Sequence, residues 1–175
     1  MIVPSERIAV LIGEKGSTKK LIEKLAGVKL DIDSESGDVE LGQVSDPVRA
    51  MRIMDVIRAI GRGFSPERAL RLLDDDMLYF DSIDISEVEP SQKGQKRIAG
   101  RIIGRKGRTR EAIESSTHVV LSVYGKSVSM IGYLDQIRIV KAAIGMLLDG
   151  APHSAVYKFL EKKRSQIERN ETERF

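Results

Sequence analysis

The sequence predicts an α+β protein in which one small domain is built twice. Three observations carry that prediction. The 175-residue chain repeats itself once. Each copy reads as a helix, a glycine loop, a second helix, two strands and a long helix. The repeat is roughly half the chain, which means two related domains rather than a solenoid of short units.

The register of the repeat is explicit. Ile12-Gly13 matches Ile103-Gly104, Gly16 matches Gly107, Ile22 matches Ile113, and Val28 matches Val119. After a two-residue deletion in the second copy, Val39 matches Val128, Asp46 matches Asp135, and Gly61 matches Gly150. "GRGFSPERALRLL" has its counterpart in "GAPHSAVYKFLEKK". Two related domains follow, expected at residues 1–75 and 76–175, with the boundary at the acidic turn 74–76.

Each element has a local reason. The segments "ERIAVLI" and "KRIAGRII" supply short first helices ahead of the glycines. In the second helix, Leu21, Ile22 and Leu25 of copy one, and Ala112, Ile113 and Ser116 of copy two, stand at helical spacing. Gly27 is a C-terminal stop. "VKLDI" alternates Val28, Leu30 and Ile32, and the turn "SESGD" returns the chain to "VEL". Copy two reads "VVLSV", the tighter turn "YGKS", then "VSMI". Asp46 is an N-cap with Pro47 at the first helical position, and Gly61 closes that helix. Leu134, Ile137, Val140, Ile144 and Leu147 form one apolar stripe ending before Gly150. The last helices begin at Ser65-Pro66 and near His153-Ser154.

A strand is expected before each glycine loop, giving a three-stranded sheet per copy. "LYFDSIDIS" supplies it in copy two, with a bulge expected where the alternation breaks at Ser82. In copy one only "MIVPSERI" is available, so that strand is short.

Composition narrows the function classes. There is no cysteine, which excludes disulfides, thiolate metal sites and a cysteine nucleophile. The start "MIVPSERIAV" lacks signal-peptide features, and no apolar run reaches the ~20 residues of a membrane span. A soluble cytoplasmic protein is expected. The net charge of +3 is modest, but the charges are segregated. Every charge in residues 74–89 is acidic, and every charge in residues 93–110 is basic. Such a cluster steers a polyanion even on a nearly balanced chain.

The glycine loops sit in the basic stretch, at "RIIGRKGRTR", and in its counterpart "VLIGEKGSTK". Neither fits a nucleotide cofactor. A P-loop needs four residues between its glycines and a Lys-Ser/Thr pair after them, and a dinucleotide fingerprint needs a further Gly-x-Gly. No cofactor is expected. A Gly-x-x-Gly turn between two helices fits a phosphodiester instead, because bare backbone and a helix N-terminus face the same anion. The candidate RNA-binding residues are Arg101, Ile103, Gly104, Arg105, Lys106, Gly107, Arg108, Arg110 and Leu121 in copy two. In copy one they are Gly13, Lys15 and Gly16. In the K-homology fold that this pattern resembles, the bases lie in an adjoining apolar groove, and Ile12, Ile103, Leu30 and Leu121 are the candidates to floor it. Glu14 repels phosphate where Arg105 attracts it, so copy two is expected to carry most of the RNA affinity.

This pattern resembles the K-homology (KH) fold in its type I form, whose Gly-x-x-Gly loop clamps about four nucleotides of a single strand. The second half is more specific. "RIAGRIIGRKGRTREAIE", "VYGKSVSMIG" and "GAPHSAVYKFLEKK" together resemble the archaeal KH proteins of small-subunit ribosome biogenesis, related to the eukaryotic partner-of-NOB processing factors. That resemblance implies single-stranded small-subunit rRNA as ligand, bound near its 3′ end. It also implies an rRNA-processing endonuclease and a translation factor as protein partners, and no catalysis by the KH protein itself. Glu14 leaves the face of copy one open to protein contact. An adaptor or general KH regulator, with RNA binding secondary, is the alternative reading.

The remaining polar residues suggest no chemistry. His118 and His153 are the only histidines, too few for a metal site, and His153 is expected to cap or pack at a helix start. Asp74, Asp75 and Asp76 read as a solvated turn. The charged segment 161–174, with Ile167 its one aliphatic residue, is expected to be an exposed, fraying helix end.

Overall fold

The computed structural model describes all 175 residues and divides into two compact units, Met1–Asp76 and Met77–Phe175. No helix is long and apolar enough to cross a membrane.

In the first unit, α1 (Ser5–Ile12) and α2 (Ser17–Ala26) flank the first glycine loop. Strands β1 (Leu30–Ile32) and β2 (Val39–Leu41) pair antiparallel, with Leu30 opposite Leu41 and Ile32 opposite Val39. The expected third strand is reduced to one bridge between Ile2 and Asp38, beside which the Val3 N–H donates to the Gly37 carbonyl at 2.8 Å. The sheet is therefore two-stranded, a correction to the three strands expected. Pro4 is the reason: it has no N–H to extend a ladder, and α1 starts immediately after it.

The Asp46 carboxylate accepts from the Val48 N–H at 2.9 Å and caps α3 (Pro47–Gly61). Ser65 caps α4 (Pro66–Asp74) through the Arg68 N–H. Arg7 ties α1 to the turn between these helices, donating to the Ile60 and Phe64 carbonyls at 2.8 Å each. Ile8, Leu11, Ile22, Ile53, Ile57 and Leu72 are buried. Ile22 and Ala26, one turn apart, form the buried face of α2. Leu21 and Leu25 point aside from that face and remain 43% and 40% exposed, although their spacing suggested burial with Ile22.

In the second unit, β3 (Leu78–Asp84), β4 (Val120–Tyr124) and β5 (Ser127–Tyr133) form an antiparallel sheet in the order β3-β5-β4. The β3–β5 register runs unbroken from Leu78 opposite Tyr133 to Asp84 opposite Ser127, so there is no bulge at Ser82. The apolar alternation breaks there for another reason: the Ser82 hydroxyl meets the Ser129 hydroxyl directly across the ladder at 2.9 Å.

Helix α5 (Gln92–Ile103) is longer than "KRIAGRII" suggested, because Ser91 caps it one turn earlier through the Gly94 N–H. Helix α6 (Arg108–Thr117) follows the second glycine loop. Helix α7 (Leu134–Leu148) buries Ile137, Val140, Ile144 and Leu147, while Leu134 is half-exposed at its start. These side chains share one core with Ile98, Ile102, Ile113, Leu121, Val128 and Met130.

Helix α8 (His153–Arg174) continues to the penultimate residue and is docked at its far end, correcting the expectation of a frayed end. Ile167 is buried, Asn170 and Arg174 both donate to the Asp135 carboxylate, and the Arg174 guanidinium lies 3.8 Å from the Tyr133 ring centre. Burial opposes ionisation of Asp135, but the Asn170 hydrogen bond and the Arg174 charge hold its carboxyl below the ordinary value.

One contact recurs in both units. Glu23 on α2 accepts from the Leu30 N–H at 2.8 Å, and Glu114 on α6 accepts from the Leu121 N–H at 2.8 Å. Each satisfies a backbone donor on an edge strand. The Leu30 N–H is the main reason the Glu23 carboxyl sits below its usual 4.5. Glu23→Ala is expected to cost about 1.5–3 kcal/mol in urea unfolding near neutral pH, the scale of a hydrogen bond to a charged acceptor. Glu23→Gln, which keeps the acceptor, is expected to cost less. Because the folded pKa is lowered, the contribution of the charge is present above about pH 4.5 and is lost as pH falls through the folded value. The gap between wild type and Glu23→Gln should close over that acidic range.

Candidate nucleic-acid interface

The second glycine loop begins where α5 runs out. The Gly104 N–H closes the last turn onto the Gly100 carbonyl at 2.8 Å, and Gly104 then adopts φ 75°, ψ 173°. That region is essentially closed to any residue with a Cβ. Packing forbids a Cβ as well, since one built on Gly104 would overlap the Thr109 hydroxyl oxygen. Lys106 is left-handed at φ 54°, ψ 30°, and Gly107 follows at φ 75°, ψ 10°. The Gly107 N–H returns to the Gly104 carbonyl at 3.1 Å, which closes the turn.

Helix α6 starts directly on Gly107 with no side chain capping it. By contrast, α3, α4 and α5 each carry an Asp or Ser cap. The Arg108 N–H is taken by the Arg105 carbonyl, and no side chain competes for the N–H groups just beyond it, which are the candidate anion donors. Around them Arg105, Lys106, Arg108 and Arg110 are exposed. Arg110 is partly engaged, 4.0 Å from Glu114 on its own helix. Ile103 is half-buried at the end of α5; Ala99, one turn earlier, and Val123 on the edge strand β4 are half-buried against the same core. These are the apolar residues open to a base.

Two expectations change. Leu121 is 1% exposed inside the core, so it supports a groove from beneath and offers no surface to RNA. The cause is its strand position, on the face of β4 that packs against the helices. Arg101 is half-buried and donates through Nη2 to the Ala151 carbonyl, which directs it away from solvent phosphate.

The first loop has the same backbone. Gly13 lies at φ 74°, ψ 171°, Lys15 at φ 52°, ψ 28°, and Gly16 at φ 77°, ψ 18°. A Cβ on Gly13 would overlap the Thr18 hydroxyl oxygen. Glu14 and Lys15 are exposed, Ile12 is half-buried, and Leu30 is buried like Leu121. The two loops thus share a conformation and differ in charge.

Motif reading missed Thr18 and Thr109, which fill the space under the first glycine of each loop. Their signal was the repeat itself, since both copies read Gly-x-x-Gly-x-Thr. It also missed Tyr157, and it placed His153 at a helix start, where it packs, without its partner. His153 Nε2 lies 2.9 Å from the Arg101 carbonyl, and the Tyr157 hydroxyl lies 3.1 Å from that of Thr109. Neither residue has a repeat partner of its own type.

Comparison with known proteins agrees with this geometry. Residues 79–165 match the family model described as a eukaryotic type KH-domain (KH-domain type I), and residues 1–54 match that of the KH domain. A KH domain-containing protein of Methanocaldococcus jannaschii is 44% identical over 95% of this chain and 74% of its own length. The pre-rRNA-processing protein pno1 of Schizosaccharomyces pombe is 32% identical over 78% of this chain and 58% of its own length. This chain thus spans less than two thirds of that longer relative. Among solved structures, Dim2p of Pyrococcus horikoshii superposes with a TM-score of 0.84 at 47% identity, covering 93% of this chain and 96% of that one. The same archaeon's a/eIF2alpha–aDim2p–rRNA complex holds a chain that superposes at 0.88 with 46% identity, covering 95% and 93%. Two glycine turns of one geometry, each set between helices ahead of a strand pair, belong with these likenesses: the chain is a member of the archaeal KH-domain family homologous to the eukaryotic pre-rRNA-processing protein Pno1.

Proposed function

We propose that this protein binds single-stranded RNA in small-subunit rRNA processing and ribosome assembly, with the second glycine loop as its principal clamp near the 3′ end of the rRNA. The observation that carries the reading is the second loop itself. A closed glycine turn and an uncapped helix start face the solvent together with Arg105, Lys106 and Arg108. Residues 1–75 and 76–175 act as tandem type I KH modules of unequal charge. The processing role is supported by the relatives named for pre-rRNA processing, and the ligand by the rRNA in the complex of the homologous archaeal protein.

The protein works by binding and performs no cleavage of its own; an rRNA-processing endonuclease and a translation factor are its protein partners. The first unit leans toward protein contact. Glu14 opposes phosphate at its loop, and Leu21 and Leu25 leave apolar surface on the helix that follows.

Fluorescence anisotropy with a labelled fragment of the rRNA 3′ end tests the reading. Arg105→Asp with Lys106→Asp should nearly abolish binding, and Lys15→Asp should cost less. For every phosphate no longer neutralised, the log–log salt slope should flatten by about 0.7. Equal losses would refute the asymmetry between loops, unchanged binding in the double variant would refute the clamp, and divalent-dependent cleavage by the protein alone would refute a purely binding role. The glycines should separate in urea unfolding. Gly107→Ala should cost about 1–3 kcal/mol, the strain of a left-handed residue with open space around it. Gly104→Ala should cost more, because its Cβ also collides with Thr109.

A further inference from the structure

The segment 150–159, "GAPHSAVYKF", closes on both flanks of the second glycine loop. On the α5 side, Arg101 donates through Nη2 to the Ala151 carbonyl. The Arg101 carbonyl in turn lies 2.9 Å from His153 Nε2. A carbonyl only accepts, so Nε2 carries the proton in this contact. On the α6 side, the Tyr157 and Thr109 hydroxyls meet at 3.1 Å. His153 and Tyr157 lie one turn apart at the start of α8, with ring centres 6.4 Å apart, so one helix face serves both contacts.

Thr109 links that face to the loop. It is 1% exposed, and its hydroxyl oxygen occupies the place where a Cβ on Gly104 would stand. Fixing Thr109 therefore fixes the surface against which Gly104 packs. Lys106, two residues on, is held in a strained left-handed conformation that persists only where its surroundings over-determine it. The first unit has part of this arrangement. Arg7 ties its first helix to the turn before α4, but α4 contains neither histidine nor tyrosine.

We propose that His153 and Tyr157 are positioning residues for the second RNA clamp, holding Arg101 and Thr109 so that the loop keeps its phosphate-binding conformation before RNA arrives. A preorganised loop gives up less freedom on binding, so its affinity is higher for the same contacts. This rests on the RNA-clamp reading above, and the two are separable because the brace has a readout without RNA.

That readout is amide exchange at Gly107, whose N–H closes the loop onto Gly104. In the full chain, Tyr157→Phe and His153→Ala should each speed this exchange and weaken RNA binding about fivefold, the scale of one net hydrogen bond. His153→Gln should restore both properties, since its amide N–H replaces the ring N–H. Thr109→Val should match Tyr157→Phe, and the double variant should lose no more than either single, the signature of one shared contact. Arg105→Asp with Lys106→Asp should lose RNA while leaving Gly107 exchange unchanged. Unchanged exchange in Tyr157→Phe and His153→Ala overturns the brace whatever RNA does. Faster exchange with full RNA affinity, while the charge-reversed control loses RNA, overturns the positioning role alone. RNA binding retained by that control overturns the clamp reading, and the role proposed here with it.

Discussion

The second unit is organised around a backbone conformation that only glycine holds. At Gly104 the dihedrals and the packing of Thr109 both exclude a Cβ, and either alone would suffice. Much follows from this one position. The chain turns sharply enough for α6 to begin within a few residues of the end of α5. The turn uses two backbone donors internally, the Gly107 N–H on the Gly104 carbonyl and the Arg108 N–H on the Arg105 carbonyl. No side chain caps the helix start that follows. The sterically intolerant turn thus runs directly into a helix start that no side chain caps.

The first unit shows what is scaffold and what is surface. Gly13, Lys15 and Gly16 reproduce the dihedrals of Gly104, Lys106 and Gly107, and Thr18 stands under Gly13 as Thr109 stands under Gly104. Glu23 and Glu114 hold the following edge strand through the same backbone donor. In each unit an arginine of the first helix reaches the turn after the long helix, Arg7 in one and Arg101 in the other. The difference between the loops is at the surface, where exposed Glu14 stands in place of exposed Arg105. Two loops of equal shape and unequal charge offer the same backbone donors to a phosphate. Long-range attraction is what separates them, and it weakens with added salt.

Features repeated between the copies were legible in the sequence. Paired glycines and alternating strands depend on local chemistry, and a second copy removed chance as an explanation. What escaped depends on tertiary context. Arg101 looked like a phosphate ligand because it is basic and near the loop, but a carbonyl fifty residues away claims it. Leu121 looked like a groove floor, but the pleat turns it to the core. The polar break at Ser82 suggested a bulge because Ser129, its partner, lies far along the chain. Segment 161–174 read as a fraying end because one aliphatic residue seemed too little to dock it.

That last misreading has a physical lesson. Ile167 does contribute, but α8 is also held by polar contacts that composition cannot reveal. Asp135 receives Asn170 and Arg174, Arg174 covers the Tyr133 ring, and Glu171 accepts from Gln136 while bonding the His118 ring. His118 takes the left-handed position that ends α6, where the first unit has Gly27, and so brings its ring to α8 at the cost of a strained backbone. Helix α8 is therefore tied near both ends of α6, through Tyr157 to Thr109 at the start and through Glu171 to His118 at the finish. A helix fixed at two points along a neighbour cannot slide or rotate against it without breaking one of them. The register that places Tyr157 under the glycine loop is thus set partly by contacts at the far end of the same helix.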